Sequence, residues 1–93
     1  MKKFKGKSIL VTGSCGTVGS QLVKQLLCRQ DLSPEEVVGI DNNESALFLQ
    51  DQDYINDSRA HFYCTDIRDV EALTRIMEDI DIVFHCAAMK HVI

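Results

Sequence analysis

The segment Thr12-Gly13-Ser14-Cys15-Gly16-Thr17-Val18-Gly19 sets three glycines at intervals of three. It directly follows the apolar run Ser8-Ile9-Leu10-Val11 and directly precedes a helical pattern. Residues of these types at this spacing suit a turn that receives a phosphate. A buried strand running into such a turn, and then into a helix, aims several backbone N–H groups and the positive end of the helix dipole at one point. Residues without a Cβ let the backbone approach a pyrophosphate, and glycine takes positive φ there without strain. Cys15 lies inside this turn at a helix amino terminus, a setting that lowers a thiol pKa. A redox role for Cys15 is the lesser reading beside phosphate binding.

A second group of residues bears on the same chemistry. Asp41 ends the β-branched run Glu36-Val37-Val38-Gly39-Ile40 and lies 22 residues beyond Gly19. That is close to the roughly 20-residue offset at which a dinucleotide-binding unit places an acid on the adenosine ribose. The plainer role, an aspartate that begins a turn, would be preferred if Asp41 stood alone. Behind a strand, a glycine turn and a helix, the ribose role is preferred. A carboxylate there accepts bonds from two ribose hydroxyls and repels a 2′-phosphate, which favours NAD over NADP. Arg59 and Arg68 are the nearby arginines, and nothing in the sequence brings either to such a phosphate. Asp66 is another acid at the carboxyl end of an apolar run, and Ala87 and Ala88 follow a fourth run as small residues that a cofactor could approach closely.

Other chemistries fit less well. Five residues separate Gly13 from Gly19 and Ser20 follows, which departs from the phosphate loop that ends in Lys and Ser or Thr. There is no GxSxG elbow and no HExxH pair. His61, His85 and His91 are too scattered to suggest a metal site and are read as structural, with His85 having the best functional case because it comes near a strand end.

The elements that must position these residues follow from periodicity. Lys7–Thr12 is apolar without alternation, as expected of a central parallel strand covered on both faces. Val18, Leu22, Val23, Leu26 and Leu27 mark a helix to about Arg29, which Pro34 and its neighbours end. A second strand over Glu36–Ile40 leads to Asp41. Asn42 and Asn43 can cap a short helix over Ser45–Gln50 whose apolar cluster is Ala46, Leu47, Phe48 and Leu49. A polar loop over Asp51–Ala60 carries Tyr54 and Ile55 as packing anchors. His61–Thr65 is a third strand, Asp69 caps a third helix with Val70, Leu73, Ile76, Met77 and Ile80 on its apolar face, and Asp81–Cys86 is a fourth strand. The order β-α-β-α-β-α-β, with right-handed crossovers, predicts the first half of a Rossmann-like three-layer α/β fold. Its parallel sheet runs in the order 3-2-1-4, which brings the glycine turn, Asp41, Asp66 and Ala87 to one edge.

Composition narrows the partners. A formal charge of −4, from ten basic and fourteen acidic residues among 93, argues against nucleic acid and anionic membranes. The cluster Lys2, Lys3, Lys5 and Lys7 is read as a solvated lead-in to the first strand. The apolar run after it is too short for a signal peptide or a membrane span. Cys15, Cys28, Cys64 and Cys86 form no CxxC pair, so they are expected as reduced thiols in a cytoplasmic protein. The last three are expected to act as small hydrophobes beside apolar runs.

Thr12-Gly13-x-x-Gly16-x-x-Gly19 resembles the fingerprint of extended short-chain dehydrogenases/reductases. Asp41-Asn42-Asn43-Glu44, Asp66-Ile67-Arg68-Asp69 and Phe84-His85-Cys86-Ala87-Ala88-Met89-Lys90-His91-Val92 resemble a narrower group, the nucleotide-sugar 4,6-dehydratases and related epimerases of bacterial polysaccharide biosynthesis. The resemblance implies that Gly13, Cys15, Gly16, Thr17, Val18 and Gly19 hold a pyrophosphate. It also implies that Asp41, with Asn42 and Asn43 beside it, selects the adenosine ribose, and that Asp66 and Ile67 lie along the adenine. Cys86, Ala87 and Ala88 would approach the cofactor, with Cys86 standing where alanine is usual, and Lys90 would lie near the nicotinamide. Residues 1–93 are then expected to be the amino-terminal part of an NAD(P)-binding domain. The parent would be an enzyme acting on a nucleotide sugar, of UDP-N-acetylhexosamine type. The family's Thr/Ser-Asp-Lys and Tyr-xxx-Lys or Met-xxx-Lys segments come later than Ile93, so these residues are expected to contain no catalytic group and to form no product alone. A stand-alone dinucleotide-binding module is one alternative. Another is a half-domain that self-associates through an unpaired outer strand, with the segment from Lys90 to Ile93 exchanged between copies.

Overall fold

The computed structural model describes residues 4–87. Strands β1 (Ser8–Thr12), β2 (Glu36–Asp41), β3 (Ala60–Cys64) and β4 (Ile82–His85) alternate with helices α1 (Thr17–Cys28), α2 (Glu44–Asp53) and α3 (Val70–Met77). The strands form one parallel sheet in the order β3-β2-β1-β4, as the crossover rule predicts. Every residue of β1 is buried, which is why that segment shows no polar alternation.

Alternate residues of the strands feed two different cores. Ile9, Val11 and Val37 pack with Val23, Leu26 and Leu27 of α1 and with Leu32. Tyr54, just beyond α2, joins this cluster and stacks on Phe62 at 6.0 Å. On the opposite face Leu10, Val38 and Ile40 meet Ile67, Leu73, Ile76 and Ile80 from the α3 region. The fold is therefore the three-layer α/β arrangement expected, with α1 and α2 on one side and α3 on the other.

Several local expectations are corrected. Val18 is 68% exposed, while its neighbour Gly19 in the same turn of α1 is buried against Gly13 and Ser14, so Val18 lies on the outward side of the helix. α2 runs on to Asp53 and takes in the start of the expected loop. Its buried side chains are Leu47 and Gln50, while Phe48 and Leu49 face outward at 63% and 64% exposure. Only one face of that helix meets the sheet, so a contiguous apolar cluster cannot all turn inward. Ile55 is exposed, leaving Tyr54 as the single anchor of the pair. α3 has no fully buried residue, and Val70 and Met77 at its two ends are exposed. Cys28 and Cys64 are also exposed, contrary to their expected role as small hydrophobes.

Candidate functional site

Thr12, the last residue of β1, joins the turn to β4. Its carbonyl accepts from the Cys86 N–H at 3.1 Å and its hydroxyl oxygen from the Ala87 N–H at 3.3 Å. The hydroxyl oxygen also lies 2.8 Å from Nδ1 of His85. His85, read as structural from the sequence, is thus a tie between strand ends.

The three glycines of the turn serve different ends. Gly13 has φ +68°, and a Cβ there would lie 2.6 Å from the Cα of Ala87. A side chain at Gly19 would press on Gly13, lying 2.8 Å from its carbonyl carbon and 3.1 Å from the Cα of Ser14. The turn and the packing of α1 therefore require both. Gly16 has an extended backbone, φ −73° and ψ 175°, and an added Cβ would meet only the Gly13 oxygen, at the ordinary contact distance of 3.4 Å. Among the described residues, neither the backbone conformation nor the packing requires glycine at 16.

α1 also begins differently from its neighbours. Asn43 caps α2 by accepting from the Ala46 N–H, and Asp69 caps α3 by accepting from the Ala72 N–H, each at 3.1 Å. Glu44 and Glu71 add an acid to those first turns. α1 starts at Gly16 with no side-chain cap and no acid in its first turn. Its leading N–H groups, at Thr17 and Val18, stand on the exposed side of the turn, and they are among the groups that helix geometry leaves without internal partners.

Asp41 closes the other side. Its Oδ2 accepts from the Cys15 N–H at 3.0 Å and its Oδ1 from the Asn43 N–H at 2.9 Å. A carboxylate has about four acceptor positions, so one lone pair on each oxygen stays available after these two bonds. Burial first, and then the Asp41 charge, push the Cys15 thiol above its ordinary value. This corrects the expectation of a lowered thiol pKa at a helix amino terminus.

The strand ends bring most of the sequence-derived site residues together. Thr65 N–H bonds to the Asp41 carbonyl at 3.0 Å, setting Asp66 beside the end of β2. Asp66 is held by the side chain and backbone N–H of Arg68, which lower its carboxyl to about 2. Ile67 packs against the core cluster of Leu10 and Ile40. Arg59 bonds to Asp57 and to the carbonyl of Leu27 near the far end of α1. Both arginines named from the sequence thus have partners other than Asp41. Asn42 is exposed next to Asp41. Ala88 and Lys90 lie outside the described residues.

Two residues that the sequence did not single out complete the turn. Ser14 is fully buried, its N–H donates to the Ile40 carbonyl, and its hydroxyl donates to Oε1 of Gln50 at 3.0 Å. Gln50 in turn donates from Nε2 to the Ser14 carbonyl at 2.7 Å. The signal for Gln50 was the helical spacing of Leu47, Gln50 and Tyr54, which puts an amide on the inward stripe. A groove of about 640 Å³ lies elsewhere, between α3 and the strands β2 and β3. It marks the thinly covered face of the sheet, and none of the glycine turn lines it.

Residues 9–93 match the polysaccharide biosynthesis protein family. The chain is 36% identical over 89 residues to the inverting UDP-N-acetylglucosamine 4,6-dehydratase of Campylobacter jejuni, covering 96% of this chain and 26% of that protein. It is 40% identical over 89 residues to an uncharacterized membrane protein of Methanocaldococcus jannaschii, again covering 96% of this chain and 26% of the relative. Among solved structures, a double mutant of the dTDP-glucose 4,6-dehydratase DesIV from Streptomyces venezuelae, with NAD and DAU bound, superposes with a TM-score of 0.72 at 34% identity. That match covers 89% of this chain and 27% of the other. The chain thus spans about a quarter of the length of the curated relatives it matches. No helix among the described residues is long and apolar enough to cross a membrane.

Proposed function

The chain belongs to the polysaccharide biosynthesis protein family, within the extended short-chain dehydrogenases/reductases, and from that premise we propose that it binds NAD at the end of β1. The observation that carries this reading is Gly16, a glycine that neither backbone conformation nor packing demands, at the uncapped start of α1. A close-lying pyrophosphate accounts for it, since the missing side chain leaves the backbone open to the ligand. Gly13 and Gly19 shape the turn, and the first N–H groups of α1 hold the phosphate oxygens. Cys15 has its N–H committed to Asp41, and that carboxylate keeps a lone pair on each oxygen for the two ribose hydroxyls. The same charge disfavours a 2′-phosphate, so NAD is preferred to NADP. Asp66 and Ile67 border the adenine, while Cys86 and Ala87 line the path toward the nicotinamide.

Bound NAD supplies a hydride acceptor. In the whole protein the substrate is a nucleotide sugar of UDP-N-acetylhexosamine type and the reaction a 4,6-dehydration, a reading supported by the Campylobacter relative, or an epimerisation, supported by relatives named UDP-glucose 4-epimerase. The four free cysteines are consistent with a reducing, cytoplasmic setting. Self-association of the 93-residue chain is supported by the exposed Tyr63 and Val83 on the thinly covered face of the sheet.

Titration of the chain with NAD and NADH tests the cofactor reading. Replacing Gly16 by valine suits the extended backbone there, so the fold should survive while the side chain fills the phosphate approach. We expect affinity to fall by about 100-fold, equivalent to roughly 2.7 kcal/mol, with stability lowered by no more than the roughly 1 kcal/mol that an unfavourable N-cap residue costs. No binding by the parent chain, or equal binding by the valine variant, refutes the reading.

A further inference from the structure

The glycine turn has a back as well as a front. On the side away from the open N–H groups of α1, three hydrogen bonds reach it from one side chain. Gln50 donates from Nε2 to the Ser14 carbonyl at 2.7 Å and accepts at Oε1 from the Ser14 hydroxyl at 3.0 Å and from the Cys15 thiol at 3.4 Å. Both Ser14 and Gln50 are buried, 36 residues apart in sequence. A buried amide on the inward stripe of α2 costs free energy unless it is hydrogen-bonded, and here both its oxygen and its nitrogen have partners. An apolar side chain of the same size would leave the Ser14 carbonyl and hydroxyl buried without partners.

The bonds also close a ring. Asp41 accepts from Cys15 N–H and from Asn43 N–H, Asn43 caps α2, and Gln50 of α2 returns to Ser14 and Cys15. Cys15 is therefore held twice, through its amide by Asp41 and through its thiol by Gln50. We propose that Gln50 is a positioning residue for ligand binding, locking Ser14 and Cys15 from behind so that the turn presents its phosphate-binding shape before a ligand arrives. The proposal rests on the dinucleotide reading for its ligand and on the ring of bonds for its geometry. α2 then joins the seat of the ribose to the seat of the pyrophosphate, and loosening one loosens the other.

The test is cysteine alkylation, resolved by site with mass spectrometry, in the parent chain and in Gln50→Met, which keeps the volume and removes all three bonds. Iodoacetamide should modify Cys15 about tenfold faster in the variant, the change expected for loss of a hydrogen bond worth roughly 1.4 kcal/mol. The exposed Cys28 and Cys64, and the half-buried Cys86 packed on the main core, should keep their parent rates. An unchanged Cys15 rate overturns the proposal. Acceleration of Cys86 in step with Cys15 also overturns it, since Gln50 would then serve only the stability of the whole chain. NAD titration supplies the functional arm, with affinity expected to drop about tenfold in Gln50→Met. If the parent binds NAD and the variant binds equally, the positioning role fails and the dinucleotide reading stands. If the parent does not bind, the dinucleotide reading fails and the alkylation rates alone decide Gln50. Should Gln50→Met unfold, Gln50→Asn keeps a neutral amide but withdraws it by one methylene from Ser14 and Cys15. The expected result is then again a faster Cys15 rate with weakened NAD binding, and a parent-like rate or unchanged binding refutes the role.

Discussion

On one side of the sheet, Ile9, Val11 and Val37 are closed over by Val23 and Leu26 of α1 until none of the five meets solvent. On the other, Leu10, Val38 and Ile40 are roofed by the half-buried Leu73, Ile76 and Ile80, and α3 contributes no fully buried residue. The two faces differ in what they do for the site. The bonds that fix the turn at Ser14 and Cys15 go to β2, Asp41 and α2, so they depend on the sealed side. The thinly covered side supplies Ile67 and the Asp66 turn at the margin. Shape at the phosphate seat is thus built from the part of the chain that is already packed, and the loosely covered face has little part in it.

The largest effect that would break this comparison is a difference in core energetics. Leu26→Ala should cost about 2–5 kcal/mol, the range for a buried leucine whose site cannot collapse. Ile76→Ala should cost about 1 kcal/mol, because half of its surface term is never gained. Urea midpoints of the two variants measure this, and equal losses would mean that α3 is packed as firmly as α1. A smaller effect concerns association. Val83 is 42% exposed on the open face, and Val83→Lys should leave stability within about 0.5 kcal/mol. It should shift sedimentation toward monomer, whereas a parent chain that is already a monodisperse monomer removes any role for that face in self-association.

The smallest effect is at the margin between the faces. The Arg68 guanidinium and backbone N–H hold Asp66 down to about 2, below its unfolded value near 3.9. The pair's contribution is therefore present above the unfolded carboxylate range and is lost as pH falls through about 2. Both side chains are solvent-facing, so the change in acid stability should be slight. Carboxyl NMR titration should place the midpoint near 2 and return it to the ordinary range in Arg68→Ala. An unshifted Asp66 in the parent chain would release that side chain from its arginine.

Much of this was legible in the amino-acid sequence because it is local. The run Ser8–Val11 gives a buried strand, Asp69 three residues before Ala72 gives a helix cap, and the alternation of runs gives the sheet order through chain handedness. The caps at Asn43 and Asp69 follow from residue type and position, whereas the close approach of Ala87 to Gly13 comes only from the fold. What failed was depth and partnership. The periodicity of Val70, Leu73, Ile76, Met77 and Ile80 finds the inward side of α3 without saying how thin the cover is. The contiguous cluster Ala46, Leu47, Phe48 and Leu49 hides its own stripe, so residue type alone does not separate the buried Leu47 from the exposed Phe48 and Leu49. Gln50 is polar, and the reason for burying it is a serine that only folding brings near. The raised thiol of Cys15 likewise reflects burial and the Asp41 charge, neither of which a helix-terminus argument contains.

One tie between strands has a consequence in time. The turn's bonds to Asp41 and Gln50 close loops of 26 and 36 residues, whereas those from Thr12 to His85 and Ala87 close loops of 73 and 75. The extra entropy of the longer closure is small, about 0.6 kcal/mol for a doubling of length. Folding rate responds to such separations more than stability does. The back of the phosphate turn is therefore expected to assemble first, with β4 docking onto a turn already set. A slow folding phase should report the arrival of Ala87 against Gly13, after Ser14 has found Gln50.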